Sequence, residues 1–220
     1  MSLELQKRII TSICLLSLLI LMFFYTYILI ISLIVIATIS WIEFYALISK
    51  ILFKKSYKDK ILRFLYKAIS LIYLSLLVYL IIIAKSKNTG LEIIVMYSIL
   101  VSIMTDIGGL AIGKNFKGKK LTKISPKKTI SGSIGSFIFS LFLIPFFIKH
   151  FPDNDLLTLF MITLIISLTS QLGDLFISFL KRKAKVKDTS DLLPGHGGVL
   201  DRIDGIIVAI PIGFLTLSFF

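Results

Sequence analysis

The run IITSICLLSLLILMFFYTYILIISLIVIATISW, residues 9–41, contains 33 residues without one charged side chain. As a single helix it would be about 50 Å long, against a hydrocarbon core of about 30 Å. Two helices resolve the mismatch, over about 9–24 and 27–48, with a reversal at Tyr25-Thr26-Tyr27. Lys7-Arg8 ahead of the run resembles the start of a secretory signal, but no small-residue cleavage site follows, so a retained anchor is expected. Working outward, further apolar stretches near 65–84, 93–113, 130–148, 156–180 and 199–219 are long enough to span. The fold class read from this pattern is all-α: a polytopic integral membrane protein of about seven transmembrane helices.

Composition agrees. Of 220 residues 56% are hydrophobic, above the 45–50% or so of soluble domains, and the mean hydropathy is +0.95. The net charge of +13 does not argue for nucleic acid, because the basic residues sit in short clusters between apolar runs. Such clusters suit anionic lipid headgroups and phosphates. Alternate connections carry 22 of the 25 basic residues, in groups at Lys7–Arg8, Lys50–Lys67, Lys114–Lys128 and Lys181–Lys187, with Arg202 beside the last helix. By the positive-inside rule these connections and the N-terminus are cytosolic. The expected location is the bacterial inner (cytoplasmic) membrane, multi-pass, with the polar site on the cytosolic side. The connections at 50–60 and 114–129 are too short to form a core of their own, so 1–220 reads as one membrane domain, with amino-terminal helices over 1–90 and a catalytic part over 92–220. The single cysteine, Cys14, lies in an apolar run and excludes a disulfide framework or thiolate metal site.

The polar chemistry gathers late in the chain: Asp174, Ser178, Lys181-Arg182, Lys187-Asp188, Pro194-Gly195-His196-Gly197-Gly198, Asp201-Arg202 and Asp204. Asp174 and Ser178 are spaced i,i+4, and Asp201 and Asp204 i,i+3, so each pair shares a helix face. Ionisable groups within apolar segments are costly and usually face a protein interior or a watery cavity. Oxygen donors from Asp174, Asp201 and Asp204, without Cys or a His pair, favour Mg²⁺ over zinc. Asp at a helix start is also an ordinary cap, and His196 taken alone is an ordinary loop residue. The glycines allow backbone N–H groups to come close to phosphate, with a helix N-terminus just beyond. Lys181 and Arg182, one turn after Ser178, suit a polyphosphate; Lys183 and Lys185 read as surface charge.

The spacing Ser178, Lys181-Arg182, Lys187-Asp188, Pro194 to Gly198 and Asp201-Arg202-Ile203-Asp204 closely resembles the hallmark of the CDP-diacylglycerol synthases (phosphatidate cytidylyltransferases). A second stretch resembles the same family: Thr105-Asp106-Ile107-Gly108-Gly109, Gly113-Lys114, Gly118-Lys119-Lys120-Leu121, Ile124-Ser125-Pro126-Lys127-Lys128-Thr129 and Gly132. Together they cover about residues 105–205. Trp41 and Glu43 are weakly similar to the family's amino-terminal half. The pattern is broken at two places: Ile130-Ser131 stands where the family commonly has Trp-Glu, and Ile177 where it usually has Glu.

The resemblance implies that CTP and phosphatidate are converted to CDP-diacylglycerol and pyrophosphate. It implies Mg²⁺, alone or with a second, monovalent cation, at Asp174, Asp201 and Asp204, with Lys181 and Arg182 also catalytic. Phosphates would be held by Arg202, Lys187 and the Gly195, His196, Gly197, Gly198 loop, with Ser178 and Asp188 beside them. Ser125, Lys127, Lys128 and Thr129 would form a second gripping loop, and Asp106 the floor of the cavity. A homodimer among membrane lipids is implied, with no nucleic-acid partner. The alternatives are another CTP-dependent lipid enzyme of the polyprenol kinase type, or a membrane transporter or scaffold without activity. CDP-alcohol phosphotransferases are set aside because their Asp-rich pattern is absent from the sequence.

Overall fold

A computed structural model describes residues 3–53, 56–86, 90–116, 118–122, 124–126, 128–151 and 155–219. Lys127, expected in the second gripping loop, lies outside the described residues. The elements are α1 (Leu3–Phe24), α2 (Thr26–Ile51), α3 (Tyr57–Ser86), α4 (Leu91–Phe116), α5 (Ile130–Leu141), α6 (Ile144–Phe147), α7 (Leu156–Lys183), α8 (Leu200–Ile203) and α9 (Ile206–Phe219). A short 3₁₀ turn, Ile148–His150, follows α6. Among the described residues the fold is helical, with only two isolated bridges. The chain divides into two compact units, residues 1–85 with 180–202, and residues 86–179 with 203–220.

Among the described residues, five helical segments are long and apolar enough to cross a membrane: Thr26–Ile51, Tyr57–Ser86, Leu91–Phe116, Ile130–His150 and Leu156–Lys183. The apolar part of α1, Ile9–Phe24, is shorter. The break expected near residues 25–27 falls on Tyr25, whose extended backbone (φ −118°, ψ 108°) separates α1 from α2. The last expected span differs more. It does not start at 199: a turn at Asp204-Gly205 separates the four-residue α8 from the 14-residue α9.

In the unit formed by 86–179 and 203–220, apolar packing centres on Tyr97, Val101, Leu159, Ile162 and Ile166 with Phe147 and Phe151. The most buried polar residues here are small hydroxyls rather than charges: Ser98, Ser102, Ser140, Thr163, Ser167 and Ser170 are each 0% exposed. Four of them pair across α4 and α7, Thr163 Oγ1 with Tyr97 Oη at 2.6 Å, Ser167 with Thr105 at 2.8 Å and Ser170 with Ser102 at 2.7 Å, while Ser98 and Ser140 donate to carbonyls of their own helices. Large apolar side chains such as Leu110, Phe146 and Leu157 instead point outward. Small polar residues inside and large apolar residues outside are the arrangement a hydrocarbon solvent selects, because tails as apolar as leucine remove the drive to bury leucine.

The same logic governs α4 against α5. A Cβ on Gly109 would lie 2.8 Å from Ser136 Oγ, one on Gly132 2.8 Å from the Gly109 carbonyl oxygen, and one on Gly135 2.8 Å from that of Gly108. These glycines therefore form a close backbone seam. Gly205 fits likewise: a Cβ there would meet Ser170 Oγ at 2.5 Å and Ser102 Oγ at 3.1 Å, which places the break between α8 and α9 against the hydroxyl pairs.

Candidate active site

In the unit formed by 1–85 and 180–202, the polar groups organise around one acid on α2. Glu43 is 4% exposed. Its Oε1 accepts the Ser190 hydroxyl at 2.6 Å and the Val199 N–H at 3.0 Å. Its Oε2 accepts the Thr189 hydroxyl at 2.8 Å and the Leu200 N–H at 2.8 Å. Four donors on one buried carboxylate satisfy it fully, and they tie both ends of the 189–200 loop to α2.

Asp201 is the second anchor. Lys181 Nζ meets Oδ1 at 2.5 Å, with side chains 13% and 5% exposed. Oδ2 accepts the Thr189 N–H at 2.8 Å, the Thr189 hydroxyl at 2.9 Å and the Gly198 N–H at 3.2 Å. Burial alone pushes this carboxyl up; the Lys181 hydrogen bond, the Thr189 N–H, the Lys181 charge and the Gly198 N–H outweigh it and hold it below the usual carboxylate range.

Between the anchors, Pro194 and Gly195 form the centre of a tight turn closed by His196 N–H to the Leu193 carbonyl at 2.8 Å. Gly195 has φ +76°, the value a type II turn requires after proline. The N–H groups of His196 and Gly197 both go to Leu193 O, and that of Gly198 to Asp201. These three donors are bonded within the loop. A Cβ on Gly198 would reach Glu43 Oε2 at 2.6 Å, so glycine here permits the approach to Glu43. His196 meets Thr11 Oγ1 of α1 at 2.6 Å through Nδ1, and its carbonyl accepts the Arg202 guanidinium. Arg182, Lys187 and Arg202 are exposed, and Asp188 is half-buried beside Gly197.

The stretch entering the loop closes α7 in a Schellman motif: Val186 N–H bonds Lys181 O at 3.0 Å and Lys185 N–H bonds Arg182 O at 3.1 Å. The left-handed position falls on Lys185, φ +57°, a conformation in which a side chain costs about 1 kcal/mol. Lys185→Gly is expected to stabilise the protein by about 1 kcal/mol, read as a later midpoint in detergent unfolding.

The other expected residues fall in the second unit. Leu121 N–H to Lys128 O and Ile130 N–H to Lys119 O pair the two arms of the 118–130 loop, and Lys128 N–H to Ser125 O turns it. Thr129 caps α5 by accepting Gly132 N–H at 3.1 Å. Lys128 forms an ion pair with Asp174, whose Oδ1 also accepts the Ser178 hydroxyl at 3.3 Å. Asp204 is buried, its Oδ1 accepting Gly205 N–H at 2.9 Å, while Asp106 is exposed on α4. Among the described residues, no three His, Cys, Asp or Glu side chains gather closely enough to hold one cation. Asp174, Asp201 and Asp204 each have protein partners.

A family model described as the cytidylyltransferase family matches residues 2–220. The chain belongs to the cytidylyltransferase family. Its curated relatives include proteins named phosphatidate cytidylyltransferase. That of Rickettsia prowazekii is 42% identical over 149 residues, covering 64% of this chain and 63% of the relative. That of Rickettsia bellii is 39% identical over 158 residues, 68% of each. That of Staphylococcus haemolyticus is 42% identical over 130 residues, 58% of this chain and 49% of the relative. The match to the family takes in both anchors, Glu43 and Asp201, and both loops.

Sequence reasoning underweighted Glu43 and passed over Thr189. A signal existed for Glu43: it is the one acid between Glu4 and Asp59, set in an apolar helix, and intramembrane acids mark function. Nothing local marks Thr189.

Proposed function

We propose that this cytidylyltransferase-family membrane protein transfers CMP from CTP to phosphatidate. A phosphatidate oxygen attacks the α-phosphorus of CTP, the bond from that phosphorus to the bridging oxygen breaks, and pyrophosphate leaves with the electron pair. The observation that carries the proposal is the Lys181-Asp201 pair, which joins the end of α7 to α8 across the intervening loop, beside the exposed cations Arg182, Lys187 and Arg202. The nucleophile is already anionic, so the reaction needs charge masking and alignment rather than a strong base. Arg182, Lys187 and Arg202 mask phosphate charge, with Lys181 behind them, and Ser125, Lys128 and Thr129 grip nucleotide or lipid phosphate from the second loop.

Mg²⁺ is part of the proposal as the cation that accompanies the triphosphate, alone or with a monovalent ion. Asp174, Asp201 and Asp204 would offer it oxygen donors, each in exchange for a present protein partner. The distribution of basic residues supports cytosolic loops in a bacterial inner membrane. The homodimer is carried with the proposal and is checked by the mass of the detergent-solubilised particle. The experiment is pyrophosphate release from CTP and Mg²⁺ by purified protein, with and without phosphatidate. Release that requires the lipid is expected; release indifferent to it would count against phosphatidate as acceptor.

A further inference from the structure

We propose that Thr189 is a positioning residue for the grip on the CTP triphosphate, carrying the register set by α2 through Asp201 to Lys181. The inference rests on the cytidylyltransferase reading above and adds a residue that the sequence motifs did not nominate. The Thr189 hydroxyl lies 2.8 Å from Glu43 Oε2 and 2.9 Å from Asp201 Oδ2. A hydroxyl has one proton, so it bonds one carboxylate at a time and shields the two from each other in turn. Its N–H holds Asp201 Oδ2 permanently, at 2.8 Å. Asp201 Oδ1 is then the oxygen presented to Lys181 Nζ.

The order of rigidity runs one way. Glu43 belongs to the 26-residue α2 and is nearly sealed from solvent. Lys181 sits in the last turn of α7, on a long stem with four rotatable bonds. A lysine ammonium has no geometric preference of its own, so its position is that of the carboxylate it meets. Asp201 takes its rotamer from Thr189 and Gly198, and Thr189 takes its place from Glu43. Thr189 is 7% exposed and is not offered as a group that touches substrate.

Thr189→Val keeps the shape and the N–H but removes the hydroxyl between two buried carboxylates. Its kcat/KM for CTP is expected to fall by about tenfold or more, the effect of losing a hydrogen bond to a charged group. The KM for phosphatidate should stay within about twofold, since the loss is confined to the triphosphate grip. Thr189→Ser restores the hydroxyl and should recover kcat/KM to within about threefold. Tryptic cleavage after Lys183, Lys185 and Lys187, followed in parallel, should quicken in the valine variant and return to the wild-type rate in the serine variant.

Equal kcat/KM for CTP in wild type and Thr189→Val would overturn the proposal. So would a serine variant as impaired as the valine one, or a loss shared equally by both substrates with an earlier unfolding midpoint, which marks a purely structural residue. Wild-type protein that does not turn over CTP would overturn the cytidylyltransferase reading instead. The tryptic comparison would then still decide whether Thr189 holds the loop.

Discussion

Glu43→Ala is expected to destabilise the protein by about 4 kcal/mol and to abolish CTP turnover. The carboxylate serves Ser190, Val199, Thr189 and Leu200. The two hydroxyls can rotate to other acceptors, but the Val199 and Leu200 N–H groups cannot, and a buried donor left without a partner costs about 1–3 kcal/mol. That is a large part of the 5–15 kcal/mol by which proteins are typically stable. Glu43→Gln is a sharper probe, since an amide presents its NH₂ to one of the two backbone N–H groups whichever way it is turned; about half the loss is expected. Unfolding midpoints in detergent, read with phosphatidate-dependent CTP turnover, check both variants. An alanine variant as stable as wild type would mean that the loop is held elsewhere.

Asp201→Asn should cost about 3 kcal/mol and most of the activity, because it leaves the buried Lys181 charge facing a neutral amide. The pH dependence follows in sign. The Asp201 carboxyl is held below the usual carboxylate range in the folded protein, so the folded state favours its ionised form. Its contribution is full above the unfolded value of about 3.9 and is lost as pH falls through the lower folded value. Unfolding midpoints measured from neutral pH down into that acid range should drop for wild type, and the Asp201 share of the drop should vanish in Asp201→Asn. A variant with an unchanged acid profile would show that other carboxylates carry it.

The helices were legible because lipid-facing segments need no periodicity: an uncharged run of spanning length is signal enough, as for 130–148 and 156–180, which the structure places in Ile130–His150 and Leu156–Lys183. The start of the last helix was not. Residues 199–219 look continuous until Gly205 is seen against the Ser102 and Ser170 hydroxyls, contacts from residues far away in the chain. Glu43 met the same obstacle, since its partner Thr189 is 146 positions distant.

Motif spacing marked Lys181, Asp201 and the glycine loop, but not what each group does. The glycines read as a cradle for phosphate; that Leu193 and Asp201 accept three of the loop's N–H groups depends on contacts the spacing does not show. The two departures from the family pattern also acquire physical roles. Ser131 accepts the Gly118 N–H at 3.3 Å and lies 3.1 Å from the Thr129 hydroxyl, fastening the base of the 118–130 loop. Ile177 is 2% exposed, a place where an unpaired carboxylate would be costly.

The measurement that bears most directly on the central claim uses two preparations of CTP, labelled at the α- or the γ-phosphorus, with phosphatidate, Mg²⁺ and purified protein. CMP transfer to phosphatidate predicts α-label in the extracted lipid, as CDP-diacylglycerol, and γ-label in pyrophosphate. Phosphatidate that gains no α-label, or γ-label transferred to an added polyprenol, would contradict it.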